Sequence, residues 1–173
     1  TQVGTDTTWK SGSVGDYNMV ATKTNGTLWI WGVNQAGNLG LNQGYPQRSA
    51  ASSPCQIPGT TWETVRNKVE TGGEHTLALK TDGTLWAWGD NEAGTLGQNN
   101  ETQYSSPVQV PGTTWNAYHK KSGSGYNGQF SVASKTDGTM WVWGSNSDGN
   151  LGVGDGPSVP GLSSPTQLPG TNW

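Results

Sequence analysis

A chain of 173 residues is long enough for one domain with a real core, yet only 30% of it is hydrophobic and 12% charged, with 27 Gly, 9 Pro and 10 Trp. Disorder would bring few aromatics, so this composition points instead to a turn-rich all-β protein. A net charge of −3, with no Lys/Arg run longer than Lys120-Lys121, argues against nucleic acid or an anionic membrane as partner.

The chain opens on TQVGTDTTW (1–9), a degenerate copy of a segment that returns three times and is read as a boundary strand. The first strong element is a hairpin around KTNGTLWIWG (23–32). Asn-Gly between alternating residues predicts a two-residue type I′ turn, which pairs Val20 with Trp31 and Ala21 with Ile30. A Gly-Leu-Gly turn follows in NQAGNLG (34–40), then the variable loop LNQGYPQRSAAS (41–52), then SSPCQIPGTTW (52–62).

The same order returns. KTDGTLWAWG (80–89) predicts a hairpin with Leu79 facing Trp86, Leu77 facing Trp88 and Ala78 facing Ala87, preceded by a strand over 63–69. NEAGTLG (91–97), the loop QNNETQY (98–104) and SSPVQVPGTTW (105–115) complete that copy. The third copy is NAYHKKSGSGYNGQ (116–129), KTDGTMWVWG (135–144), NSDGNLG (146–152), VGDGPSVPGLS (153–163) and SSPTQLPGTNW (163–173). Its hairpin pairs Val132 with Trp143 and Ala133 with Val142.

Trp9, Trp62, Trp115 and Trp173 lie 53, 53 and 58 residues apart, and the other six Trp (Trp29, Trp31, Trp86, Trp88, Trp141, Trp143) fill the three Trp-x-Trp-Gly motifs closed by Gly32, Gly89 and Gly144. Every Trp is therefore a repeat position. About four short strands per period, apolar on both faces, describe a β-propeller blade that packs on its neighbours. The expectation is three four-stranded antiparallel blades (10–62, 63–115 and 116–173) with a Trp-rich seam between hairpins and no helix.

GGEHTLALKTDGTLWAWGDNEAGTLG (72–97) and its two parallel copies resemble the regulator of chromosome condensation repeats. The resemblance spans essentially the whole chain. Copies 1 and 3 depart where the second reads Gly-Gly-x-His-Thr, having SVGDYN (13–18) and YNGQFS (126–131). It implies blades of a closed propeller, usually of seven. The name-giving eukaryotic member is a nucleotide exchange factor on chromatin, and secreted bacterial relatives include an inhibitor that caps β-lactamases. The protruding hairpin and basic arm of the chromatin role have no counterpart here, and the sequence style is similar to bacterial or viral members.

Candidate chemistry is thin. Cys55 is the lone cysteine, and with only His75 and His119 beside it a zinc site has no donor set. The Gly-Leu-Gly turns lack the Lys-Ser/Thr of a phosphate loop, and DGNLGVGD (148–155) lacks the terminal Glu of a calcium loop. His75 with Asp90 resembles part of a triad without a nucleophile motif, and nothing pairs two among Glu63, Glu70, Glu74, Asp90 and Glu92 for glycoside chemistry. No cofactor, metal or catalysis is expected. No apolar run reaches membrane-spanning length, so membrane insertion is not expected either.

Variable loops on a rigid scaffold are where binding residues gather, which nominates Tyr45, Arg48, Tyr104, Tyr118, His119 and Tyr126. Sequons at Asn25 and Asn100 would carry glycan in a secreting, glycosylating producer. Two function classes follow. One is a non-enzymatic structural or assembly protein in an extracellular, cell-surface or virion setting; the other is a secreted binder of a protein or glycan. The first residue is Thr, so a processed product or an excerpt is expected. Blade faces left open at the ends predict head-to-tail packing with further copies or with more repeats of a longer chain, as a ring or a fibre.

Overall fold

A computed structural model describes residues 4–44, 46–65, 68–71, 74–121, 129–154 and 161–171. Among them every regular element is a strand. The first sheet holds β1 (Trp9–Val14), β2 (Asn18–Lys23), β3 (Leu28–Val33) and β4 (Ala50–Ile57). The second holds β5 (Val69–Thr71), β6 (His75–Leu79), β7 (Leu85–Gly89) and β8 (Tyr104–Gln109). The third holds β9 (Trp115–Lys121), β10 (Phe130–Lys135), β11 (Met140–Gly144) and β12 (Leu162–Gln167). Each sheet is an antiparallel meander in chain order, which makes it a blade.

The hairpin register differs from the sequence expectation by one residue. Asp82 Oδ1 accepts from the Thr84 amide at 2.9 Å and from the Thr84 hydroxyl at 2.6 Å, which closes an Asx turn and leaves only Gly83 at positive φ, +77°. A type I′ turn would need positive φ at Asp82 as well. The loop is instead a three-residue turn with a bulge at Gly83, closed by Lys80 N–H to Thr84 O at 2.9 Å and Gly83 N–H to Lys80 O at 3.0 Å. Leu79 therefore faces Leu85, Leu77 faces Ala87, Ala78 faces Trp86 and Thr76 faces Trp88. In the other hairpins Val20 faces Ile30 and Met19 faces Trp31, while Val132 faces Val142 and Ser131 faces Trp143.

That slip sorts the side chains into two unlike faces. One face of each hairpin is aliphatic, such as Leu77, Leu79, Leu85 and Ala87; the other carries both Trp of the motif. The aliphatic face of one blade packs on the Trp face of the next. Val20, Leu28, Ile30, Leu39 and Ile57 meet Trp62, Ala78 and Trp88 in one core, and Leu77, Leu79, Leu85 and Leu96 meet Trp115, Ala133 and Trp143 in the next. The Trp-rich seams foreseen from the repeat thus lie between blades.

The outer strand of the second repeat also differs. Trp62 makes an isolated bridge to Lys80, and among the described residues of 63–69 only Val69 belongs to a strand. Residues 4–8 carry no strand; β1 starts at Trp9.

An open Trp face on the first blade

Each blade builds the same cluster from one Lys and three Trp. The boundary Trp meets both motif Trp edge-on, with Trp62 centred 6.3 Å from Trp86 and 6.1 Å from Trp88. Trp9 does the same with Trp29 and Trp31, and Trp115 with Trp141 and Trp143. The Lys before each turn lays its ammonium over two of these rings: Lys80 Nζ sits 3.8 Å from the Trp86 centroid and 4.9 Å from Trp62, and Lys23 and Lys135 repeat the contact. The turn ties in as well, because Thr84 Oγ1 accepts from Trp86 Nε1 at 2.9 Å while donating to Asp82. Asn25, Thr27 and Trp29 form the same relay, as do Asp137, Thr139 and Trp141.

These bonds favour the charged carboxylates. The Thr84 hydroxyl and amide hold Asp82 below the usual carboxylate range, and Thr139 does the same for Asp137. Asp6 is depressed furthest, first by the Lys23 ammonium at 2.6 Å and then by Thr8. A depressed folded-state pKa adds stability above the unfolded carboxylate value, about 3.9, that is lost as pH falls through the folded value. Asn25 makes the same two bonds in the first blade and does not titrate. The double variant Asp82→Asn, Asp137→Asn is therefore expected to lose less Tm than the parent between about pH 5 and pH 2. Identical melting-temperature profiles by circular dichroism would contradict the two turns' part in acid sensitivity.

The seams are joined by a second repeated contact. Trp88 Nε1 donates to Asn38 O of the preceding blade at 2.9 Å, and Trp143 Nε1 donates to Thr95 O at 2.7 Å. Both acceptors sit in the Gly-x-Leu-Gly turn, which a buried Asn organises. Asn34 Oδ1 takes the Leu39 amide, Asn91 Oδ1 the Leu96 amide and Asn146 Oδ1 the Leu151 amide. Sequence reasoning passed over this Asn and the Lys of the cluster; the signal for both was their presence at one phase in all three copies.

Trp31 is the exception. Trp88 and Trp143 are fully buried, whereas Trp31 is half-buried and no preceding blade stands before it among the described residues. It lies between a concavity of about 420 Å³ lined by Asp6, Trp9, Lys10 and Pro54 and one of about 270 Å³ lined by Val14, Tyr17 and Met19. Val14, Tyr17 and Met19 are 70%, 62% and 40% exposed. Large apolar side chains grouped so on a surface mark a contact region.

The nominated residues that are described lie on separate elements. Tyr45 and Tyr126 lie outside the described residues. Tyr118 and His119 are on β9, opposite Ala133 and Val132. Arg48 is half-buried and donates from Nη2 to Cys55 Sγ at 3.1 Å. Tyr104 opens β8 rather than lying in a loop, packs against the second seam, and accepts at its hydroxyl from Asn100 Nδ2 at 3.2 Å. Asn100 Nδ2 also donates to Gln98 O, and Asn25, exposed on its turn, spends its Oδ1 on Thr27. His75 is buried in β6 opposite Gly89, and Asp90 accepts from Gln103 at 2.9 Å. Among the described residues no group of three or more His, Cys, Asp or Glu could hold a metal.

Models of the regulator of chromosome condensation (RCC1) repeat match residues 25–79, 82–121 and, in a second version, 67–95. The chain belongs to the RCC1 repeat family. Over 142 residues it is 32% identical to the ultraviolet-B receptor UVR8 of Arabidopsis thaliana, covering 82% of this chain and 30% of that protein. It is also 32% identical over 98 residues to the probable E3 ubiquitin-protein ligase HERC3 of Homo sapiens, covering 57% of this chain and 9% of that one. Yeast RCC1 (Prp20), solved with Kap60 bound, superposes on it with TM-score 0.77 at 20% identity, over 95% of this chain and 37% of that one. Human WBSCR16 follows at 0.70 and 21%, over 93% and 38%. The chain thus spans about a third or less of the length of these two curated relatives. The RCC1 likeness carries the β-propeller fold, and blade-on-blade packing is what the three repeats display.

Proposed function

We propose that this RCC1-repeat chain is a non-catalytic protein-binding module whose role is assembly. The observation that carries the reading is the open Trp face of the first blade, apolar and exposed where the equivalent faces of the other two blades are buried. The chemically suggestive side chains support it, because the Lys, Asp and Asn of the repeats are spent on building each blade and its turns, and Trp88 and Trp143 on joining blades. Relatives of the fold that bind proteins agree: yeast Prp20p was studied for binding to Gsp1p and histones. A screen against hydrolase and glycosidase substrates is expected to give no turnover; turnover abolished by changing one His or carboxylate would overturn the reading. The proposed setting is extracellular, at a cell surface or in a virion, on the strength of the low-charge composition rich in Thr, Asn and Gly; recovery of the natural chain from the cytosolic fraction would overturn that part.

A further inference from the structure

We propose that Asn25 is a self-modification site gated by folding: the closed turn of the first blade protects its side-chain amide, and an open turn releases it to deamidation through Gly26. The inference does not depend on the assembly reading.

Asn25-Gly26 is the one Asn-Gly step among the described residues; Asn127-Gly128 lies outside them. Where the first blade has Asn25, the other two have Asp82 and Asp137. The reaction needs only water. Gly26 N gives up its proton and attacks Asn25 Cγ, the Cγ–Nδ2 bond breaks, and ammonia leaves with a proton, closing a succinimide ring. Water then opens the ring on either side. Addition at Cγ breaks the bond from Cγ to Gly26 N and gives an ordinary aspartate. Addition at the main-chain carbonyl carbon breaks that carbon's bond to Gly26 N, and the chain then runs through Cγ as isoaspartate, one backbone atom longer. A Gly after Asn favours closure, because no Cβ hinders the attacking nitrogen.

The closed turn opposes each movement the reaction needs. The Gly26 amide, the attacking group, donates to Lys23 O at 3.0 Å. The Gly26 carbonyl accepts from the Trp62 amide at 3.1 Å, and an added Cβ on Gly26 would run into Thr60 O, so this peptide has no freedom to swing toward Cγ. Asn25 Oδ1 accepts from the Thr27 amide at 3.2 Å and from the Thr27 hydroxyl at 2.8 Å, which fixes the side chain. Asn25 is exposed, so these bonds guard it and burial does not. The rate therefore follows the fraction of chains in which the turn is open.

The two products part on refolding. An aspartate at position 25 fits the turn, since Asp82 and Asp137 accept the same two bonds at 2.6 to 3.0 Å and support the same Thr-to-Trp relay. Isoaspartate puts its extra atom just before Gly26, where Thr60 O leaves no room, and spreads the bonds between Lys23 and Thr27 that close the turn. A chain that has opened either gains the Asp of the other two repeats or loses the turn.

Peptide-resolved mass spectrometry of the 173-residue chain, aged in mildly alkaline buffer with and without urea, tests this. A synthetic peptide spanning 21–29 gives the rate of an unconstrained Asn-Gly in both buffers. The folded chain is expected to convert Asn25 at least about tenfold more slowly than the peptide, and the unfolded chain to match it. After the urea is diluted away, chains with aspartate are expected in the folded, protease-resistant fraction and chains with isoaspartate outside it. Asn25→Asp is expected to fold like the parent by circular dichroism. Equal rates for folded chain and peptide, an Asn25→Asp variant that fails to fold, or isoaspartate chains that refold as well as aspartate ones would overturn the inference.

Discussion

Trp88→Ala is expected to cost about 3–5 kcal/mol of stability, the range for deleting a fully buried Trp, while Trp31→Ala in the dilute chain is expected to cost much less. Both residues hold the same place in the repeat and both touch their boundary Trp. They differ in what lies across the seam. Trp88 is fully buried against Leu39 and Ile30 and its Nε1 satisfies Asn38 O, so its removal leaves a cavity and an unpaired carbonyl together. Trp31 has no such partner among the described residues. Urea unfolding followed by far-ultraviolet circular dichroism measures both costs; equal losses would mean that the seams do not carry the stability.

The second large effect belongs to the Gly that closes each Trp-x-Trp-Gly motif. At Gly89 the backbone has φ +105°, and an added Cβ would stand 2.3 Å from Glu74 O and 2.8 Å from His75 Cα. Both are backbone atoms, of β6 and of the residue just before it, so no side chain can give way. Gly89→Ala is expected to prevent the hairpin from forming, with a loss well beyond the roughly 1–2 kcal/mol of a non-glycine residue at positive φ. Gly83→Ala is the control: it has φ +77°, but its nearest neighbour is Thr114 N at 3.4 Å, and its cost should stay in that smaller range. If thermal melts of the two variants coincide, the close approach at Gly89 does not matter. Gly32 and Gly144 are hemmed in the same way, by Tyr17 O at 2.3 Å and Gln129 O at 2.7 Å. That close approach is the physical reason for ending the motif on Gly.

The repeat made the all-β class, the three blades and the Trp seams legible, because ten Trp at fixed phases leave little else for them to do. The register was not legible from Asn-Gly and Asp-Gly alone. The Thr after the Gly decides it, by drawing the Asx side chain into a type I turn, and the one-residue change swaps which side chains meet. Tyr104 read as a loop anchor because loop boundaries were set by Gly and Pro, whereas the strand starts before Ser-Pro and takes Tyr104 into the seam. The exposed face was foreseeable in kind, since no blade stands before the first among the described residues. Its atoms were not, because a half-buried Trp31 stands out only beside the buried Trp88 and Trp143.

The most direct test of the blade-seam account is exchange at the indole N–H groups, read by two-dimensional NMR of the nitrogen-15 chain. The account predicts slow exchange for Trp88 and Trp143 at every concentration, since both are buried and bonded to carbonyls of the preceding blade. Faster exchange is expected for Trp31, which is half-buried and lacks the seam that covers the other two. Protection of Trp31 equal to that of Trp88 and Trp143, or fast exchange at those two, would contradict it.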